Sequence, residues 1–465
     1  MIKTILVNKE HKIKDTYLKK VNLIPFFDVN GEEKLIEAET YQNYLALKEY
    51  LSTKNIDIAI DSAYRSLDRQ QELYQEFCTK YGKEYASSIV APVGASEHHT
   101  GLAIDLTIKT KTGFLTENVD HEKYHQTYQT IHKILPKFGF ILRYPKGKEE
   151  ITGYSYEPWH IRYVGDFVAP IIAENNYTLE EYLTNYSALL LVNKEKAMTS
   201  FDVVNEISHL FGIKRVGHTG TLDPLAEGVL IVAIGKATKV VELLTATYKE
   251  YIATVKLGIK TDTADITGQI LETAPIPDLS NLSLTLQKFQ KTYLQEVPIY
   301  SAVKVGGKKL YEYARNGENV VLPKKEVTIK EIELLHSQQD SFTFRTVVSK
   351  GCYIRSLITD IATALHTVAT MSSLLRTKQG LIDIKSTATL EMIKNKKFKT
   401  YQIDEVLELP VVKLEPELEK KVMTGQKLKN TFNIKDKVIF KNQNNQILGI
   451  YECQNDQLIV WKNFV

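Results

Sequence analysis

The sequence predicts an α+β protein with more than one core, and three observations carry that expectation. A chain of 465 residues is longer than one hydrophobic core serves. Segments with helical spacing and segments with strand alternation occur on both sides of residue 187. Charge is also divided unevenly: residues 1–186 hold 22 Lys and Arg against 26 Asp and Glu, a net of −4, and the remainder holds 37 against 30, a net of +7. An acidic first part beside a basic second part suggests that only the second meets a polyanion.

Within the first part, YQNYLALKEYLS (41–52) has the Tyr, Leu and Ala spacing of a helix, and IDIAIDSAYRS (56–66) alternates as a strand does. A polar stretch with helix-type segments follows, up to LEEYL at 179–183. A new strand, ALLLVN (188–193), begins almost at once. No Gly-, Ser- or Pro-rich tether separates the two, so the domains are expected to abut. SFDVVNEISHLFGI (200–213) reads as an amphipathic helix, with Ser200 as N-cap and Phe201, Val204, Ile207 and Leu210 or Phe211 on one face. EYIATVKLGI, QDSFTFRTVVS and KVIFKNQNNQILGIYE are strand-like, the last a hairpin turning at its Asn/Gln cluster. The expected domains are 1–186, 187–400 and a small β-rich tail, 401–465.

Composition narrows the class. Apolar residues at 43% and charged residues at 25% are those of a globular protein. Cys78, Cys352 and Cys453 are scattered and odd in number, which speaks against a disulfide framework or a paired-cysteine metal knuckle. The first twenty residues meet charges at once, and no stretch approaches the roughly 18 apolar residues of a membrane span. The expectation is a cytoplasmic monomer with no membrane partner.

One loop in the second part concentrates chemistry. In Arg215-Val-Gly-His-Thr-Gly-Thr-Leu-Asp-Pro-Leu-Ala-Glu-Gly-Val-Leu230, glycines and a proline flank one aspartate between a helix and the apolar run VLIVAIG. Such a loop is tightly bent and presents a carboxylate. An isolated Asp-Pro would read as a turn capping itself. Here the surrounding stretches decide: LLLVNKEKAMTSFDVVN, GHTGTLDPLAEGVL, GKATKVVELL, KEYIATVKLG, TDTADITGQI, VPIYSAVKVGGKKLYEYAR and SKGCYIRSLITDI. In this order they resemble the bacterial tRNA pseudouridine synthase B family over essentially all of 188–465. One departure stands out. The family's opening NKPxGxTS reads Asn193-Lys-Glu-Lys-Ala-Met-Thr-Ser200, without its Pro and Gly.

The resemblance implies a pseudouridine synthase fold with a mixed or antiparallel sheet and a small β-rich RNA-binding appendage. It implies tRNA, through its T-stem and loop, as partner, and no cofactor. Asp223 would be the nucleophile, at C1′ or C6 of the uridine, and a carboxylate in a closed pocket needs a partner to stay charged. The resemblance supplies Arg355. Tyr251 would stack on the target base and take the C5 proton, and Tyr353 would line the same pocket. His218 would fill the space vacated when the uridine is extruded. Lys304, Lys308, Lys309 and Arg315 fall in the family's RNA-facing insertion and would meet phosphate.

The first part carries a different signature. Ser96-Glu-His-His-Thr-Gly-Leu-Ala-Ile-Asp105 places His98 and Asp105 seven residues apart, and Glu157-Pro-Trp-His160 follows far downstream. Two His and one Asp leave a tetrahedral zinc one open position for water, and Glu157 is a carboxylate near enough to deprotonate it. Together these residues resemble the zinc D-alanyl-D-alanine carboxypeptidase and dipeptidase family of the VanY type, over about residues 5–184. The resemblance implies a domain built on an antiparallel sheet, a Zn2+ cofactor and a D-Ala-terminated peptide as substrate. It makes Arg65 the group that stabilises the carbonyl oxygen of the tetrahedral intermediate, and Ser96 and Gln70 substrate contacts. His99 is the neighbouring alternative ligand; the Ser-x-His count favours His98.

The leading expectation is thus a bifunctional chain. One rival is a single-function synthase with a catalytically silent first domain, and another is a tRNA-folding chaperone.

Overall fold

The computed structural model describes residues 3–84, 86, 90–115 and 121–464. The chain divides into two compact units, one of 1–186 with 207–214 and the other of 187–206 with 215–465.

The first unit is built on a sheet whose strands all pair antiparallel. Its strands are β1 (Ile58–Ser62), β2 (Ala103–Thr110), β3 (Phe140–Leu142) and β4 (His160–Tyr163), in the order β1-β2-β4-β3, with Gly113–Phe114 on the far end of β2. Helices α1 (Ala38–Ser52), α2 (Leu67–Tyr81) and α3 (His125–Ile134) accompany it. Leu47, Leu51, Ile58, Ile60, Ile104, Leu106, Tyr128 and Ile131 share its core. α1 starts three residues before the helical spacing becomes legible, because the Glu37 side chain caps it by accepting from Thr40 N at 2.8 Å. Residues 207–214 belong here too: the Tyr182 hydroxyl donates to the Phe211 carbonyl at 2.6 Å, and Thr4 Oγ1 to that of Gly212 at 2.7 Å.

The second unit carries a ten-stranded mixed sheet. Its main strands are β5 (Ser187–Lys194), β6 (Val216–His218), β7 (Glu227–Gly235), β8 (Lys249–Leu257), β9 (Thr292–Glu296), β10 (Lys324–Ser337), β11 (Ser341–Val348), β12 (Ala369–Gln379) and β13 (Thr400–Tyr401). The order is β9-β10-β11-β8-β12-β7-β5-β13, with β6 beside β7. β7 and β12 run parallel, and the other named pairs antiparallel. A second sheet of five strands lies in 411–463 and includes the expected hairpin, Lys437–Lys441 with Ile447–Gln454. Ile403, Val406, Ile439 and Ile450 from this tail join Leu189, Leu191, Val229 and Ile231 in one cluster, so the tail is cored into the unit.

The helix expected over 200–213 spans Ser200–Phe211, but two details differ. Thr199 is the capping residue: its Oγ1 accepts from Asp202 N at 3.0 Å, and Asp202 Oδ2 accepts from Thr199 N at 2.8 Å. Ser200 Oγ instead accepts from Leu222 N at 2.9 Å, one residue before Asp223. Phe201 is 67% exposed, and Val203, Val204, Ile207 and Phe211 form the buried face.

Candidate functional site

In the second unit, the turn between β6 and β7 presents Asp223. Gly220, at φ +108°, bends it where a Cβ would be strained, and Ala226 N closes it on the Asp223 carbonyl at 3.0 Å. The carboxylate is half-buried at 32% side-chain exposure, and its Oδ2 lies 2.8 Å from Arg355 Nε. Arg355 stands in the first turn of the helix Ile354–Ala364. Its remaining nitrogens are fixed: Nη1 donates to the Thr263 carbonyl and Nη2 to that of Tyr300, both at 3.0 Å.

Electrostatics around this pair run in two directions. Burial pushes the Asp223 carboxyl above its ordinary value, Arg355 opposes this, and a second carboxylate, Asp265, adds to the rise. Asp265 is itself buried and accepts from Thr267 N at 2.9 Å and Thr263 Oγ1 at 3.0 Å. Tyr251 is buried on β8, and its hydroxyl oxygen lies 3.5 Å from Arg376 Nη1. His218 ends β6. Burial first and the Arg376 charge second hold it below its ordinary value, so it is neutral at pH 7. Tyr353 immediately precedes the helix of Arg355; burial raises its hydroxyl, and its N–H donates to Gln295 Oε1 at 2.8 Å. Of the basic residues expected to face RNA, Lys304 is exposed on a short hairpin. Lys308 is drawn to Glu318 at 2.6 Å, Lys309 Nζ donates to the Tyr311 hydroxyl at 3.2 Å, and Arg315 stands over the Tyr311 ring at 5.3 Å.

In the first unit, donor atoms of His98, Asp105 and His160 lie within 4.8 Å of one another. His98 follows Ser96 in a short 3-10 turn, Asp105 is on β2, and His160 opens β4 at its register partner. His98 Nδ1 donates to the Ala63 carbonyl at 2.5 Å, which leaves the Nε2 lone pair 3.1 Å from Asp105 Oδ2. His160 Nδ1 stands 3.0 Å from Asp105 Oδ1 without hydrogen-bond geometry, and that buried oxygen has no other partner among the described residues. His160 is raised to about 9: burial works against the charge, and Asp105 and Glu97 outweigh it. Converging lone pairs and an acidic surround that draws positive charge fit a divalent metal with a nitrogen and oxygen donor set. His99 points elsewhere, its Nδ1 donating to the Arg65 carbonyl at 2.7 Å and its Nε2 accepting from Gly94 N at 3.2 Å.

Beside the cluster is a cavity of about 150 Å3 lined by Arg65, Gln70, Ser96, Glu157 and the three donors. Glu157 Oε2 lies 3.6 Å from His160 Nδ1, and burial pushes its carboxyl up to about 7. Gln70 is a brace: its Oε1 accepts from Arg65 Nη1 at 3.2 Å, and its Nε2 donates to the Ala91 carbonyl at 2.7 Å. Ser96 is buried on the cavity wall.

Comparison with known proteins places both units. The TruB family pseudouridylate synthase model (N-terminal domain) matches residues 208–354. The tRNA pseudouridine synthase B of Caldanaerobacter subterraneus subsp. tengcongensis is 41% identical over 274 residues, 58% of this chain and 96% of that protein. That of Oceanobacillus iheyensis is 44% identical over 276 residues, 56% of this chain and 90% of that protein. This chain belongs to the tRNA pseudouridine synthase B family. In this synthase the VanY D-alanyl-D-alanine carboxypeptidase model matches residues 33–166, so a VanY-type domain shares the chain. Among solved structures, the vancomycin-resistance D,D-pentapeptidase VanY in complex with Zn(II) is 31% identical, covering 40% of this chain and 100% of that one at a TM-score of 0.33.

Several site residues escape sequence reasoning. Glu97 is fully buried between Arg143 Nε at 2.8 Å and Arg162 Nη1 at 2.6 Å, and its Oε2 faces His160 Nε2 at 3.8 Å. Burial works to raise Glu97, but the two guanidinium groups prevail and hold it well below the carboxylate range. Arg143 also forks onto Glu180 at 2.9 and 2.6 Å. The signal was there: FILRY and HIRYV each place one arginine inside an apolar run, where an unpaired charge would not survive.

Proposed function

We propose that the second unit converts the T-loop uridine of tRNA to pseudouridine with Asp223 as nucleophile. The observation that carries this is the Asp223–Arg355 pair: a partly enclosed carboxylate on a bent loop, with its arginine clamped on two backbone carbonyls. Ionised Asp223 adds at C1′ or C6 and the N1–C1′ bond breaks; the uracil turns, C5 bonds to C1′, and the bond to Asp223 breaks to return the free carboxylate. Tyr251 stacks on the base and accepts the C5 proton. His218, neutral, fills the space that the uridine leaves. Lys304 and Arg315 meet phosphate, with Lys308 and Lys309 beside them. The basic balance of the second part supports an RNA partner. Incubating the chain with unmodified tRNA transcript and mapping pseudouridine tests the reading; it fails if none forms, or if Asp223→Asn still forms it.

The first unit, in the same proposal, is a zinc D-alanyl-D-alanine carboxypeptidase or dipeptidase. His98, Asp105 and His160 would hold the metal, which supplies Lewis acidity and a lowered water pKa when bound. Glu157 takes the proton of the attacking water, and Arg65, braced by Gln70, donates to the carbonyl oxygen as charge develops there. Ser96 contacts the peptide. Among the described residues no helix is long and apolar enough to cross a membrane. A cytoplasmic substrate, free D-Ala-D-Ala or a muropeptide, reconciles this activity with a tRNA enzyme on one chain. Zinc content with D-alanine release from D-Ala-D-Ala, muramyl tetrapeptide and pentapeptide is the test; stoichiometric zinc without release from any of them rejects the peptidase.

A further inference from the structure

Arg376 is a buried arginine that neither proposed reaction employs. It is 1% exposed, and among the described residues its side-chain hydrogen bonds all go to neutral oxygens. A guanidinium so held in the interior has its charge spread over those acceptors, and the acceptors here are specific. Nε donates to the Val229 carbonyl at 2.6 Å, Nη2 to the Gly220 carbonyl at 3.2 Å, and Nη1 reaches the Tyr251 hydroxyl at 3.5 Å. One rigid fork therefore touches β7, the Asp223 loop and the tyrosine expected to hold the base.

The backbone is shaped to bring Arg376 there. On β12 it pairs with Gly228 of β7 on one side and with Tyr251 of β8 on the other. Gly228 has φ +105°, and a Cβ on it would lie 2.2 Å from the Arg376 carbonyl oxygen, so only glycine lets the parallel strands approach this closely. The Tyr251 pairing coincides with a register shift between Glu250 and Tyr251, which re-aims the side chain at that point. Three residues along the same strand, Gln379 Nε2 donates to the Thr219 hydroxyl at 2.7 Å and the Thr219 carbonyl at 3.1 Å. β12 thus grips two consecutive carbonyls of the loop, those of Thr219 and Gly220, from beneath.

We propose that Arg376, seconded by Gln379, is a positioning residue that fixes the Asp223 loop and Tyr251 relative to each other. The inference rests on the synthase reading above. The carboxylate and the stacking tyrosine arise from different elements, and both must meet one uracil at bonding distance, where a displacement of about 1 Å is costly. Their separation is set by Arg376, which among the described residues is the side chain that bonds to both elements. Lysine cannot replace it: a single ammonium on a flexible stem cannot serve three acceptors spread around a planar fork.

The test is single-turnover pseudouridine formation at saturating unmodified tRNA, with tRNA affinity and melting temperature measured in parallel. Arg376→Lys keeps the buried charge and loses the fork; Arg376→Met loses both. The rate is expected to fall on the order of 10- to 100-fold for Lys and further for Met, the loss of charge-assisted hydrogen bonds, with tRNA Kd changed by no more than about threefold. Because the Tyr251 end of the tie is absent in Tyr251→Phe, Arg376→Lys is expected to cost less in that background than in the wild type. A wild-type rate in Arg376→Met, a loss residing wholly in Kd, strict additivity with Tyr251→Phe, or failure of both Arg376 variants to fold would each overturn the proposal. Absence of pseudouridine with the wild-type chain would instead remove the synthase reading on which it stands.

Discussion

Arg355 Nε lies 2.8 Å from Asp223 Oδ2, yet the carboxyl is still held above its ordinary value, because burial and Asp265 together outweigh the guanidinium. A carboxyl so raised takes up its proton sooner on acidification. The single-turnover rate of pseudouridine formation should therefore fall along an acid limb above the ordinary aspartate value of about 3.9. Arg355→Gln removes the opposing charge that pairs with the carboxylate and should move the limb to still higher pH. A limb at or below the ordinary value, or one that Arg355→Gln leaves in place, contradicts this balance.

Asp223→Asn keeps the loop's shape and removes the nucleophile. The rate should drop by roughly 10^4-fold or more with tRNA binding retained, because the turn is set by Gly220, Pro224 and the Ser200 hydroxyl and not by the carboxylate. Quantitative pseudouridine mapping beside a tRNA-binding isotherm decides it.

The order of the elements was legible because each announces itself locally. Alternation marked β8 and β11, an Asn/Gln cluster marked the tail hairpin, and motif spacing named His98, Asp105 and His160. What stayed hidden depends on contacts remote in sequence. The sequence points to Ser200 as the helix cap, but Thr199 and Ser200 both carry a hydroxyl there; the fold gives the cap to Thr199 and turns Ser200 onto the Leu222 backbone. Spacing alone puts Phe201 on the buried face, but a helix with a broad apolar arc does not say which edge of it meets the core, and Phe201 is exposed. Glu97 sat in plain view inside the Ser96–Asp105 motif. Its role depends on Arg143, just after β3, and Arg162, on β4, which only the sheet brings together.

Chelation should separate the two activities. Removing a divalent metal with a strong chelator is expected to abolish D-alanine release and leave pseudouridine formation unchanged, since the donor cluster lies entirely within the first unit. His98→Ala should behave as the chelated protein does. Metal content by mass spectrometry with both assays on one sample checks this, and loss of both activities would refute their independence.

Glu157→Gln should lower D-alanine release by about 10^2- to 10^4-fold, the range for removing a general base. It should keep its metal, because Glu157 lies outside the three-donor cluster. Retained peptidase activity in the metal-loaded variant would assign the proton transfer to another group.

Glu97→Gln tests the charge network beneath the cluster. The fully buried carboxylate offsets Arg143 and Arg162; Arg143 keeps Glu180, but among the described residues Arg162 is left with only the carbonyls of Lys3, Ile5 and Tyr163. Breaking a buried ion pair on one side costs about 3–5 kcal/mol, so the denaturant midpoint of the first unit should fall clearly at pH 7. The pH dependence has a fixed sign. Glu97 is held below its unfolded value, so its stabilisation is complete above the ordinary carboxylate range and is lost as pH falls through and below that range. The gap between wild type and Glu97→Gln should therefore be widest near neutrality and narrow on acidification. A gap that is constant with pH would mean that Glu97 contributes by packing alone, and no gap at pH 7 would mean that Arg162 is satisfied by backbone carbonyls without it.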